Sequence, residues 1–228
     1  MTKTTAQHAV EYIEKLGWGL VNIPANSKAP KAFMWQKHAI QHAMAAESYW
    51  ETHPDHNMGL LHNVSQTCAI DVDNVEHTKL IFASLGLDYD AIISSAPQIQ
   101  GKPGRGKAIF RLPDGVNFQR KSISWPLEND ATKSETIFEL RAGDCQDVLP
   151  PSIHPDTGKP YKWIGANPLD GLPELPAPIL TMWREWERFK PQLMSICPWY
   201  SAPPISHRNP VQRAILPAPL RHTTTLCQ

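Results

Sequence analysis

The sequence predicts an α+β fold with a largely antiparallel sheet. Three observations carry this reading. Short strand-like runs outnumber segments with helical spacing. The two kinds are mixed without the regular strand–helix alternation of a parallel sheet. At 228 residues and 41% hydrophobic content, the chain is long and apolar enough to bury a core as one sizeable domain, with or without an appendage.

Thr4-Thr5-Ala6-Gln7 resembles a capping box, with Thr4 as N-cap and Gln7 three residues on. Ala9, Val10, Ile13 and Leu16 follow at helical spacing, and Gly17 suits the stop. Trp18 to Ile23 reads as a strand ending at Pro24, Asn26 to Pro30 as a loop, and His38 to Trp50 as a helix. Met58 to His62 and Thr67 to Val72 are apolar runs around a turn at Asn63 to Gln66, which predicts a hairpin. Val75 to Leu85 has helical spacing and is closed by Gly86. Ile92 to Ala96, Lys107 to Leu112 and Thr136 to Arg141 read as strands, as does Val148 to Ile153 despite Pro150 and Pro151. Ile179 to Phe189 reads as one helix carrying Trp183 and Trp186. The domain is therefore expected to span 1–190. From Pro191 onward the composition turns proline-rich, so 191–228 is expected to be a linker or disordered tail.

Lys plus Arg equals Asp plus Glu at 22 each, so there is no overall basic field. Nucleic-acid binding would need a local patch, since phosphate contacts supply much of that affinity. Cys68, Cys145, Cys197 and Cys227 make no CxxC pair, which argues against a zinc ribbon. No apolar stretch follows Met1 to Ala6 as in a signal peptide, and no window approaches the roughly 18 apolar residues of a membrane span. A reduced, cytoplasmic protein is expected.

The most informative segment is Cys68-Ala69-Ile70-Asp71-Val72-Asp73-Asn74. On a strand, Asp71 and Asp73 point to one face with Cα atoms about 7 Å apart. Two carboxylates so placed can hold divalent cations, which lower the pKa of a 3′-hydroxyl and neutralise a triphosphate leaving group. Glycosyltransferases and nucleases use the same spacing, and a strand ending in a solvated acidic turn has it too. Glu139 and Arg141 share a face in Ile137-Phe138-Glu139-Leu140-Arg141, which offers a third carboxylate and an anion-binding cation, or else an exposed ion pair. Gly101-Lys102-Pro103-Gly104-Arg105-Gly106-Lys107 is either a phosphate-approaching loop or a solvated hairpin turn, and it lacks P-loop spacing. Ser152 and His154 lie side by side in Pro150-Pro151-Ser152-Ile153-His154-Pro155-Asp156-Thr157-Gly158. That pair suits phosphate or template backbone better than nucleophilic catalysis.

In order, these segments resemble the bifunctional DNA primase/polymerase N-terminal domain of the archaeo-eukaryotic primase superfamily, from about Ala9 to Gly165. Gly17 to Trp35 resembles the opening strand with its Lys-x-Pro and Trp, and Asn57-Met58-Gly59-Leu60 the strand before the acids. Ile70-Asp71-Val72-Asp73 is similar to the first catalytic motif, Phe138-Glu139 to the third, and Pro150 to Tyr161 to the closing motif. The family's second motif carries a phosphate-contacting histidine where Lys107 stands here. A lysine can still pair with a triphosphate.

The resemblance implies an RNA-recognition-motif-like sheet carrying the acids, plus an N-terminal α/β unit. It also implies templated nucleotidyl transfer from nucleoside triphosphates to a 3′-hydroxyl. Asp71, Asp73 and Glu139 would bind two Mg²⁺ or Mn²⁺ ions. Arg105, Lys107, Arg141, Ser152 and His154 would hold nucleotide, with Arg141 also open to template. DNA template and nucleotides are the expected partners, with a replicative helicase domain alongside and a role in mobile-element replication. A catalytically weakened binding module and a metal-dependent nuclease are the alternatives.

Overall fold

The computed structural model describes residues 3–199. The capping box forms as read: Gln7 N–H donates to the Thr4 hydroxyl (3.2 Å), and Thr4 N–H donates to the Gln7 side chain (3.0 Å). Helix α1 (Thr5–Leu16) follows and buries Ala6, Ala9, Tyr12 and Ile13. Gly17 ends it at φ 66°, a left-handed conformation that costs glycine little.

Strand β1 (Leu20–Ile23) leads into a long loop holding a short 3₁₀ turn, Trp35–Lys37. Helix α2 (Ala43–Thr52) begins later than expected, because Ile40 forms a two-hydrogen-bond bridge with Leu20 and keeps residues before it extended. Strand β2 (Asn57–Leu61) and β3 (Thr67–Val72) form, but not as a hairpin. A single helical turn, α3 (His62–Ser65), and left-handed Gln66 (φ 51°) come between them and send the strands into different sheets.

Helix α4 (Val75–Ser84) matches its expected span. The expected strand at Ile92–Ala96 is instead mostly helix α5 (Tyr89–Ser94), because the Asp88 side chain caps it by accepting from Ala91 N–H at 3.0 Å. The local cap outweighs the β-branched run. Strands β4 (Gln98–Lys102) and β5 (Arg105–Arg111) form a tight hairpin through Pro103 and left-handed Gly104. Strand β6 (Lys121–Leu127) had no counterpart in the sequence reading, and β7 (Asp130–Arg141) starts six residues early. Its first half is polar and solvent-facing, so it carried no apolar signal.

Of the expected strand at Val148–Ile153, only Val148 is in a strand, at the end of β8 (Gln146–Val148), and the prolines turn the rest away. After β9 (Lys162–Ile164), the expected single C-terminal helix is two, α6 (Ala177–Arg184) and α7 (Trp186–Ser195), broken at non-helical Glu185. Helix α7 continues through Pro191, and Leu193 and Cys197 are buried in the core. Packed structure thus runs at least nine residues past the expected boundary at 190. The rest of the expected tail, 200–228, lies outside the described residues.

Two antiparallel sheets result, ordered β1-β2-β8 and β6-β7-β3-β5-β4-β9. The period-2 alternation of β3 separates two apolar clusters. Ile70 and Val72 face α4, α6 and α7, packing with Phe82, Phe138 and Trp183. Ala69 faces the N-terminal unit, packing with Tyr12, Trp50 and Leu60. Asp71 belongs to that second face, at the edge where the two sheets meet. Among the described residues no helix is long and apolar enough to cross a membrane.

Candidate active site

Asp71 stands at the centre of three adjacent strands. Its direct cross-strand neighbours are Glu139 on β7 and Lys107 on β5. Directly opposed side chains on one face have Cβ atoms about 5 Å apart, so the register alone brings an acid, an acid and a base together. Lys107 Nζ lies 2.9 Å from Asp71 Oδ2. Asp73 sits one residue past the end of β3. It is held there because its N–H and that of Asn74 both donate to Ile137 O at 3.0 Å. Asn74 then caps α4. Asp73 pairs with Arg105 at 3.3 Å, making a second acid–base rung beside Asp71–Lys107.

The other wall comes from β8. Asp147 is buried and takes three partners: Lys107 Nζ at 2.7 Å, Arg141 Nε at 2.9 Å and His62 Nε2 at 2.9 Å. His62 Nδ1 is in turn 2.9 Å from the Thr67 hydroxyl. Burial pushes the Asp147 carboxyl upward, but Lys107, Arg141 and His62 outweigh it and hold it well below the usual range. Arg141 spends its remaining donors on Glu139 Oε2 (2.9 Å) and Gln146 O (2.8 Å). Glu139 is also forked by Arg120. Burial raises the Glu139 pKa, and the two guanidiniums more than reverse it. Sequence reasoning missed Asp147, Arg120 and His62. An acid running into apolar Val148-Leu149 was a faint signal for the first, and nothing local marked the others.

Asp71 and Asp73 differ from Asp147. Burial raises both pKa values; at Asp71 the opposing pull of Lys107 is offset partly by Asp147, and at Asp73 that of Arg105 partly by Glu139. Lys107 thus serves both carboxylates, at 2.9 Å from Asp71 and 2.7 Å from Asp147. Between the two sheets lies a cleft of about 200 Å³ lined by Lys28, Ile99, Lys107, Arg141, Asp147 and Tyr161. A larger depression of about 570 Å³ over the β6–β7 hairpin, lined by Pro126, Lys133 and Trp199, is remote from the acids.

The other expected residues sit differently. Ser152 is buried, its hydroxyl accepting from Met58 N–H at 2.9 Å and lying 3.3 Å from Met58 O, so it ties the closing segment to β2. His154 is buried beside Tyr161, with ring centroids 5.2 Å apart, and its Nδ1 accepts from Asp156 N–H at 3.2 Å. The Gly-rich segment is a hairpin. Gly104 makes the turn, and a Cβ at Gly101 would come within 2.4 Å of Tyr161 and 2.7 Å of His154. Lys102 pairs with Asp156. Only Arg105 and Lys107 of this segment reach the acids.

Among the described residues no three His, Cys, Asp or Glu side chains are gathered into a metal cage. In donor chemistry Asp71 and Asp73 nonetheless fit a hard divalent cation: they are carboxylates two residues apart, and oxygen donors of this kind suit Mg²⁺ or Mn²⁺. Both oxygens of Glu139 already accept from guanidinium groups.

Asp71 and Asp73 are thus backed by fixed cations, and one of these, Lys107, also lines the cleft between the two sheets. A family model described as bifunctional DNA primase/polymerase, N-terminal, matches residues 9–178. The match covers most of the chain, and the chain belongs to this family. The family implies primase/polymerase-type nucleotidyl transfer, with DNA and nucleotide as partners. A search among curated proteins finds no match.

Proposed function

We propose that this chain catalyses templated transfer of nucleotides from triphosphates to a 3′-hydroxyl at the Asp71 site, with the six-stranded sheet as an RNA-recognition-motif-like platform. The observation that carries this is the cross-strand triplet Glu139–Asp71–Lys107, two acids and a cation on one sheet face. Asp71 and Asp73 would hold Mg²⁺ or Mn²⁺, with Glu139 as a third carboxylate. Such an ion supplies charge neutralisation and activates the hydroxyl. Lys107 and Arg105 are placed to meet phosphate oxygens, and Arg141 supports them from the cleft floor. Asp147 fixes Lys107 and Arg141 before substrate arrives, which lowers the cost of ordering them. Ser152 and His154 act through the backbone they hold rather than by direct contact with nucleotide. A helicase partner and a place in mobile-element replication accord with this reading.

A second reading, a nucleotide- or DNA-binding module with weakened catalysis, is favoured by one observation: every acid of the site already has a cationic partner. Incubation with primed template, Mn²⁺ and labelled triphosphates separates these. Longer products support transfer, unchanged primer with retained nucleotide binding supports the module, and shorter products mean a nuclease.

A further inference from the structure

We propose that the segment between β1 and α2 is a docking surface for single-stranded DNA, and that it feeds the strand toward the cleft lined by Lys28 and Lys107. This rests on the templated reading above and locates the strand. In a chain whose charges balance at 22 and 22, residues 15–46 contain no Asp or Glu. Between β1 and α2 that stretch carries Lys28, Lys31, Lys37, His38 and His42; Lys15, on α1, is paired with Glu11. The local basic patch that overall neutrality demanded is therefore concentrated here.

The surface is apolar as well as basic. Phe33 is 87% exposed and Met44 81%, and Met34 is exposed too; these are three of the five large hydrophobics exposed among the described residues. An exposed aromatic ring among cations is how proteins hold single strands, by stacking a base while the cations meet phosphates. Duplex DNA offers no free base face to such a ring.

The segment is also held in place rather than left loose. At one end, the Asn57 amide donates to Ser27 O (3.0 Å) and the Gln146 amide donates to Lys28 O (2.8 Å). At the other, Ile40 and Leu20 exchange backbone hydrogen bonds of 2.7 and 2.9 Å. Between these ties Met34 adopts φ 52°, an unfavourable left-handed conformation for a side chain of its size, and starts the 3₁₀ turn. Phe33 immediately precedes it. The patch adjoins the site through Lys28, which lines the cleft with Lys107 and Arg141 while pairing with Asp156 at 2.9 Å.

The test is fluorescence anisotropy of a labelled mixed-sequence single strand against the full chain, compared with Phe33→Ala and with Lys31→Ala/Lys37→Ala. Both changes are at exposed positions, and thermal melting checks that the fold survives. Phe33→Ala should weaken strand binding roughly tenfold. The double lysine variant should flatten the dependence of log K on log salt by about 1.4. Strand affinity equal to wild type in both variants overturns the proposal, and primer extension by the wild type would then leave the catalytic reading standing. Loss of strand affinity in the variants with no extension by the wild type supports the surface and removes the catalytic reading. Self-association by sedimentation that Phe33→Ala abolishes, with strand affinity unchanged, makes a second copy the occupant and overturns the DNA assignment.

Discussion

Lys107 bridges two carboxylates from different sheets: its Nζ is 2.9 Å from Asp71 on β3 and 2.7 Å from Asp147 on β8. A single ammonium therefore clips the acidic strand to the N-terminal unit. Its own pKa is raised, because the attraction of Asp147 and then of Asp71 exceeds the cost of burial. A lysine is charged at neutral pH, whereas the charge of a histidine changes near it.

Asp71→Ala and Asp73→Ala should each abolish nucleotide incorporation with the fold retained. Loss of a metal-holding carboxylate removes several kcal/mol of transition-state stabilisation, and each 1.36 kcal/mol is about tenfold in rate. Primer extension with Mn²⁺ measures this, and wild-type rates in the double variant would end the catalytic assignment.

Lys107→Ala should raise KM for nucleotide by the equivalent of about 1.5–3 kcal/mol, the worth of a charge-assisted hydrogen bond. His154→Ala should change nucleotide KM far less, because its ring is engaged with Tyr161 and Asp156. Nucleotide titrations giving the opposite order would assign the phosphate contact to His154.

Asp147→Asn should destabilise the protein by about 3–5 kcal/mol, since it removes the buried counter-charge shared by half-buried Lys107 and Arg141. The pH dependence follows from the depressed folded-state pKa. The carboxylate's contribution is complete above the ordinary aspartate value of 3.8 and is lost as pH falls through the lower folded value. Urea unfolding should show the wild type weakening at acid pH along a slope that the variant lacks. Equal stability of the two proteins at neutral pH would contradict the role given to Asp147.

Arg120→Ala should tighten Mn²⁺ binding, because it frees one side of Glu139 from its fork. Electron paramagnetic resonance of free Mn²⁺ reads this without turnover. Binding unchanged from wild type would restrict the ion to Asp71 and Asp73.

Leu193→Ala should cost about 2–5 kcal/mol, the usual range for a fully buried leucine, although Leu193 lies beyond Pro191 in the proline-rich region. Truncation after Lys190 should cost more, because the Trp125 indole also donates to Leu193 O at 3.1 Å. A truncated chain melting like wild type would restore the boundary at 190.

Much of the fold was legible where one local signal dominated. The Thr4 capping box, the Gly17 stop, and the alternation of β3 and β5 all rest on contacts within a few residues. The errors came where a local signal competed with another. The Asp88 cap turned an Ile-Ile run into helix, and the single turn at His62–Ser65 divided an apparent hairpin between two sheets. Strand β6 was illegible because Pro126 and alternating serines hide a strand whose pairing with β7 is tertiary.

By itself, the sequence determined that Asp71 lies on a strand and that Glu139 and Arg141 share a face of another, since period-2 geometry follows from covalent structure alone; Asp73, expected on the strand with Asp71, falls one residue past its end. Only the tertiary structure decided which charges neutralise which. The register of β3 with β5 and β7 set Asp71 between Lys107 and Glu139, and the packing of the two sheets buried Asp147 against Lys107, Arg141 and His62. Ion pairing depends on distances of a few ångströms between residues as many as 85 positions apart, and no local pattern in the chain encodes that.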